Sequence, residues 1–155
     1  MTPSNPATLR DIPSECPAYQ VRAAARVVTR FYNECFKPLD LTSEQFSLLV
    51  GIGKSPQTTI AALAGESGAD ATTLSRNVQN LLNRGLLKAE GQRGRSGKRL
   101  GLTTIGRRLL DKALPIWAQA RAELAAKLGE KKLDVVRKSL AELSKAAELS
   151  VPPKT

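Results

Sequence analysis

Two sets of side chains in this sequence have chemistry to offer beyond the fold. The first is a row of short hydrogen-bonding residues: Thr72, Thr73, Ser75, Arg76, Gln79 and Asn80. They share a segment with the apolar residues Leu74, Val78, Leu81 and Leu82. At about 100° per residue on a helix, the apolar set gathers on one side. Thr72, Arg76, Gln79 and Asn80 fall opposite it, with Thr73 and Ser75 on the flanks. Asn, Gln and Arg are the side chains that pair with adenine and guanine edges in a major groove. The second set is a run of bases. From Arg76 to Arg108 the chain carries Arg76, Arg84, Lys88, Arg93, Arg95, Lys98, Arg99, Arg107 and Arg108. Against these nine bases stands one acid, Glu90, so this window holds a net +8 of the chain's +10. Charge concentrated in this way points to a polyanionic partner.

Other chemistries are excluded or weakly supported. The 155 residues contain no histidine and only two cysteines. That removes Ser-His-Asp and Cys-His catalysis, imidazole metal sites and a four-thiolate zinc site within one chain. There is no glycine-rich phosphate loop and no close carboxylate pair, so an enzyme is not expected, nor is a cofactor or a metal. No run approaches the apolar length of a membrane span. The first residues lack a charged region followed by an apolar one, so a cytoplasmic protein with reduced cysteines is expected. Cys16 precedes Pro17 at the start of a helix, where the dipole favours a thiolate. Cys35 lies near the other end of that helix, about 28 Å away at 1.5 Å per residue. The two cannot pair within one chain, although antiparallel helices of a two-fold dimer would let them meet. A purely structural role for both is the plainer reading.

These groups need elements to hold them. Aromatic residues make up only 4% of the chain, which favours helices packed through Leu, Ala and Val. Residues 1–14 hold three prolines and read as a flexible arm. From Pro17 an apolar repeat at steps of three and four predicts a helix that stops before Pro38. Thr42 and Gln45 form a capping box for a second helix, expected to end at Gly51-Ile52-Gly53. A short helix over 58–64 and a turn at Glu66-Ser67-Gly68-Ala69 follow. Asp70 then caps the helix carrying the hydrogen-bonding row, which Gly85 stops. Two helices around a tight turn make a helix-turn-helix.

Two short extended runs, Leu86–Glu90 and Leu100–Leu102, flank a stretch rich in glycine and bases, and read as a β-hairpin with a basic tip. Thr103 caps a long helix lined by Leu110, Leu114, Trp117, Leu124 and Leu128, with a kink expected at Pro115. Gly129 breaks it. Leu133, Val136, Leu140, Leu143 and Ala147 give the last helix a coiled-coil-like seam. The expected architecture is mainly α, a winged helix-turn-helix with a small hairpin wing and long terminal helices. One domain covers 15–150, followed by a tail at 151–155. Its DNA-binding part spans about 42–103, and helices at about 15–37 and 104–149 serve dimerisation. Arg93, Arg95, Lys98 and Arg99 would place the wing on phosphates or in a narrow minor groove. A nonspecific architectural DNA-binding protein is the competing reading.

Several segments resemble the MarR family of transcriptional regulators. They are Leu39-Asp40-Leu41-Thr42-Ser43-Glu44-Gln45-Phe46-Ser47-Leu48-Leu49, Leu74-Ser75-Arg76-Asn77-Val78, Leu81-Leu82-Asn83-Arg84-Gly85-Leu86-Leu87 and Leu102-Thr103-Thr104-Ile105-Gly106. The resemblance runs from about Cys16 to Leu149. It implies a winged-helix homodimer, typically a repressor, bound to a pseudo-palindromic operator in double-stranded DNA. It also implies that a ligand or a redox event resets the two recognition helices. In this family the ligand is often an aromatic anion held between the dimer helices and the winged domain. Some members sense peroxide through a cysteine near the position of Cys16. The register that carries Asp-x-Arg in the family's wing holds Gly94-Arg95-Ser96 here.

Overall fold

A computed structural model describes residues 6–68, 70–91 and 97–150. Two compact units divide between Ile116 and Trp117. The first begins with α1 (Pro6–Glu15) and α2 (Pro17–Phe36), then a 3-10 turn at Lys37–Leu39. It continues through α3 (Ser43–Lys54), α4 (Ile60–Ser67) and α5 (Ala71–Asn83) to the strands β1 (Leu87–Glu90) and β2 (Arg99–Leu102). The long α6 (Thr104–Leu128) runs across the division, and α7 (Glu130–Ser150) ends the described chain. β1 and β2 form an antiparallel hairpin pairing Leu87 with Leu102 and Glu90 with Arg99.

The core of the first unit gathers Phe36, Leu49, Ile52, Val78, Leu81 and Leu100 from α2, α3, α5 and β2. Phe36 stacks on Phe46 at a centroid distance of 4.6 Å, which joins α2 to α3. The expected capping box at α3 is present: the Gln45 N–H donates to Thr42 Oγ1 and the Thr42 N–H to Gln45 Oε1. Asp70 caps α5 by accepting the Thr73 N–H at 3.0 Å. Gly68 and Gly85 both take positive φ, as the ends of α4 and α5 require.

Three helices differ in their bounds from the sequence reading. Residues 6–15, expected within an arm, form α1. Pro6 occupies its first position, where a missing N–H costs nothing, and the Gln20 side-chain amide donates to the Pro13 carbonyl from α2. α3 does not stop at Gly51-Ile52-Gly53 but continues to Lys54. Those glycines serve packing: a Cβ on Gly51 would lie 3.0 Å from Leu63, and one on Gly53 3.2 Å from Leu102 and Leu110. α4 begins after Thr59, whose Oγ1 accepts the Ala62 N–H. It takes in Glu66 and Ser67, which the sequence had suggested as turn residues. α6, by contrast, is the single long helix expected, with Pro115 inside it.

The start of α6 is clamped to the loop after α5. Thr103 Oγ1 donates to the Gly85 carbonyl at 2.7 Å and accepts the Gly106 N–H at 3.0 Å. Gly106 is buried there, and a methyl in place of its hydrogen would fall on the Leu86 carbonyl oxygen. In the second unit, Gly129 takes a φ of 92° between α6 and α7. Arg121 reaches Glu130 across that break at 3.1 Å. No described helix is long and apolar enough to cross a membrane.

Candidate nucleic-acid interface

The hydrogen-bonding row of α5 faces solvent. Thr72, Thr73, Ser75, Arg76, Gln79 and Asn80 are all exposed, while Leu74, Val78 and Leu81 are buried beneath them. The base of the hairpin stands beside this helix. Ser75 and Gln79 from α5 and Gly97 and Lys98 from the wing line one cleft of about 360 Å³, floored by Ile60, Val78 and Leu100. No carboxylate lines that cleft among the described residues. Arg93 and Arg95, the expected wing-tip bases, lie outside the described residues.

The row is less uniform than its sequence suggests. The Thr73 hydroxyl is directed to Asp70 Oδ2 at 3.3 Å, within the cap of its own helix. Gln79 donates to Asn83 Oδ1 at 2.8 Å. Asn80 Oδ1 accepts from the buried Gln45 amide at 3.1 Å, so it ties α5 to α3. That bond leaves its amide nitrogen and one lone pair of Oδ1 to meet a base. Arg76 has no such internal commitment among the described residues.

The bases divide in the same way. Arg84 pairs with Asp40 at 3.3 Å and is itself largely covered, which fixes the end of α5 to the turn before α3. Lys88 pairs with Glu90 at 2.8 Å. The hydrogen bond from Lys88, and then its charge, holds the Glu90 carboxyl below the ordinary carboxylate range. That pair is therefore close to neutral in the field of the wing. Arg76, Lys98, Arg99, Arg107 and Arg108 have no ion-pair partner among the described residues. Five of the nine bases in the window are thus free to face a polyanion.

Sequence reasoning missed what steadies Arg99. Its Nη1 donates to Gln57 Oε1 at 3.2 Å. Gln57 sits at φ 66°, and its N–H donates to the Leu100 carbonyl at 3.0 Å. Leu100 returns a bond to the Thr58 carbonyl at 2.7 Å. The residues before α4 therefore act as a third edge beside β2. The signal was Pro56. With the Thr58 N–H bonded to the Ser55 carbonyl, Pro56 and Gln57 are the middle residues of a turn that takes proline first and a positive φ second. Arg107, on the first turn of α6, lines a second small cleft with Gln57 and Arg99.

Cys16 is the residue before α2, half-buried, and its side chain makes no capping bond. Cys35 is half-buried near the other end of that helix. Among the described residues no cluster of ligating side chains could hold a metal.

The crystal structure of the M. tuberculosis transcriptional regulator MosR is 36% identical to this chain. It superposes with a TM-score of 0.79, and the match covers 88% of this chain and 98% of that one. The chain belongs to the MarR family.

A MarR family profile also matches residues 39–96 directly, the stretch that holds α3, α4, α5 and the first strand of the hairpin. A second structure of MosR, in complex with DNA, is likewise 36% identical, with a TM-score of 0.77 over 89% of this chain and all of that one. The transcriptional repressor CouR bound to p-coumaroyl-CoA is 26% identical, with a TM-score of 0.74 over 86% of this chain and 94% of that one. A search of curated protein sequences finds no match. The winged helix-turn-helix expected from sequence is the fold of the family and of this chain.

Proposed function

We propose that this MarR-family chain is a homodimeric, sequence-specific DNA-binding repressor, acting in the cytoplasm, whose affinity for its operator responds to a small molecule. The observation that carries the reading is the cleft shared by α5 and the wing. It joins an exposed hydrogen-bonding row to Lys98, has no acid in its lining among the described residues, and has Arg76 and Arg99, which no described acid pairs, close by in sequence. MosR in complex with DNA supports the polyanion, and CouR with p-coumaroyl-CoA bound supports a ligand. In this reading Arg76 reads a base with Thr72 and Ser75 beside it. Thr73, Gln79 and Asn80 contribute at the groove wall. Arg93, Arg95, Lys98 and Arg99 contact phosphates or the minor groove.

Selection of bound DNA from a random pool tests this. A two-fold dimer places one recognition helix in each of two successive major grooves, so half-sites should recur about 10–10.5 bp apart. Recovery of no preferred sequence would favour the architectural alternative and overturn the reading.

Oxidation is a second route to control, supported by the position of the Cys16 thiol at a helix start with no capping bond. Peroxide would convert Cys16 to a sulfenic acid, releasing water. The Cys35 thiol of a second copy would then close a disulfide and release another water. Non-reducing electrophoresis after mild peroxide should show a covalent dimer that Cys16→Ser abolishes. A protein that stays monomeric on that gel leaves both cysteines structural.

A further inference from the structure

On the opposite flank of α5 lies a larger cleft with a different character. It holds about 450 Å³ between α3, α4 and α5, with Thr29 of α2 at its edge. Leu48, Leu63 and Leu74 wall it. Its rim carries Glu44, from the first turn of α3, and Glu66, from the last turn of α4. Ser43, Ser47, Gly51, Thr73 and Asn77 complete the lining. Among the described residues no Lys or Arg lines it, in a chain that carries 24 bases against 14 acids. Neither Glu44 nor Glu66 has an ion-pair partner among the described residues.

We propose that this cleft binds a small amphiphilic organic cation, an amine or quaternary ammonium with an apolar body, and that such a compound is the effector of this regulator. The inference rests on the repressor reading above and supplies its ligand class. An aromatic anion, the ligand that resemblance to the family suggests, would meet two carboxylates and no countercharge. Like charges at such a site disfavour binding, whereas an ammonium gains from both acids. The N-terminus of α3 offers an anion little help. The Ser43 N–H is bonded to Asn33 Oδ1 at 2.7 Å and the Gln45 N–H to Thr42 Oγ1. At α5 the Thr73 N–H is held by Asp70. The apolar body would lie against the three leucines, and the charged head would sit at the rim between Glu44 and Glu66.

The cleft is placed to control DNA binding. Thr73, Leu74 and Asn77 line it and belong to the same helix as Arg76. A compound lodged against them acts on the operator only if it favours a placement of α5 that the operator does not. The effect then runs both ways, with operator weakening the compound's binding by the same factor.

One scaffold in three charge states tests the proposal on the full-length protein: 4-phenylbutylamine, 4-phenylbutanol and 4-phenylbutyrate, titrated by calorimetry near neutral pH. The amine should bind at least about tenfold more tightly than the carboxylate, with the alcohol between. Glu44→Gln with Glu66→Gln should erase that order. Ser47→Phe, which fills the cleft without altering charge, should block all three. Saturating amine should weaken binding of the selected operator at least about fivefold in the parent protein and not in Ser47→Phe. Tighter binding of the carboxylate, an order that survives the paired substitution, or amine binding to Ser47→Phe would overturn the proposal. If the paired variant melts well below the parent, Glu66→Gln alone carries the test, because that side chain is exposed at the end of a helix. Operator binding is measured separately by anisotropy. Its absence beside intact amine preference strikes the repressor reading alone, and the converse strikes the cation site alone.

Discussion

Around α5 the apolar side chains are closed in. Leu81 and Leu49 are wholly buried and Val78 nearly so, while Gln45, the one buried polar residue of the described chain, is hydrogen-bonded on both sides. Along α7 the spacing of apolar residues is just as regular, yet Val135, Val136, Leu140, Leu143 and Leu149 all stand exposed in a single copy. α2 contains both situations. Phe36 at its end is buried, whereas Val27, two and a half turns earlier, is 61% exposed. A period of three and four residues thus marks a face without saying what covers it. The winged part covers its own faces. The terminal helices leave large apolar residues in water at regular spacing, a face that a second copy would bury in a symmetric dimer.

The sharpest way to break this comparison is to truncate one residue in each region. Phe36→Ala removes a fully buried ring stacked on Phe46 and should cost about 3–5 kcal/mol of stability, read by urea unfolding. A loss under about 1 kcal/mol would mean that the junction of α2 and α3 is not part of the core. Leu140→Glu, on the seam of α7, should instead leave the melting of the winged part nearly unchanged and shift sedimentation from dimer to monomer. The few hot-spot residues near the centre of an interface each carry about 2 kcal/mol or more. If Leu140→Glu remains dimeric at micromolar concentration, the second copy covers another face.

The same contrast explains what the sequence made legible. Caps and the helix-turn-helix follow from local signals: Thr42 with Gln45, Asp70, Gly68, Gly85 and Thr103. Each of these acts within a few residues, so a reading of neighbours finds it. What escaped was long-range. Gly51 and Gly53 looked like a helix stop because their packing against Leu63, Leu102 and Leu110 has no trace in their own segment. Arg84 reads as a free base, and its pairing with Asp40 spans 44 positions. Asn80 looked like a base reader, and its tie to Gln45 spans 35 positions. α1 was hidden because prolines at its first position and in its last turn read as breakers.

Within the interface the comparison sharpens between free and committed side chains. Arg76→Ala should cost about 1–3 kcal/mol in operator affinity and relax preference at one base position. Lys98→Ala should weaken all sequences alike and lower the salt slope by about one unit. Gln57→Ala should mimic a mild Arg99→Ala, because it removes the acceptor that holds the guanidinium. Repeating the selection with each variant separates these effects. An unchanged selected sequence for Arg76→Ala would show that α5 meets the DNA through another face.

The smallest effect belongs to Asn80, where reading and positioning compete. If its main work is to hold α3 against α5 through Gln45, then Asn80→Ala forfeits one intramolecular hydrogen bond, worth about 0.5–1.5 kcal/mol of stability. Gln45→Ala loses that bond and one arm of the capping box, so it should cost somewhat more. The two residues share a single interaction, so the double variant should cost less than the sum of the single changes, by about the strength of that bond. Operator preference should stay as it was in all three, with affinity falling only as far as α5 loosens. A base-reading Asn80 gives the opposite pattern: additive stabilities, and one base position relaxed in Asn80→Ala but untouched in Gln45→Ala. The cycle needs only urea unfolding and one selection per variant, and its two outcomes do not overlap.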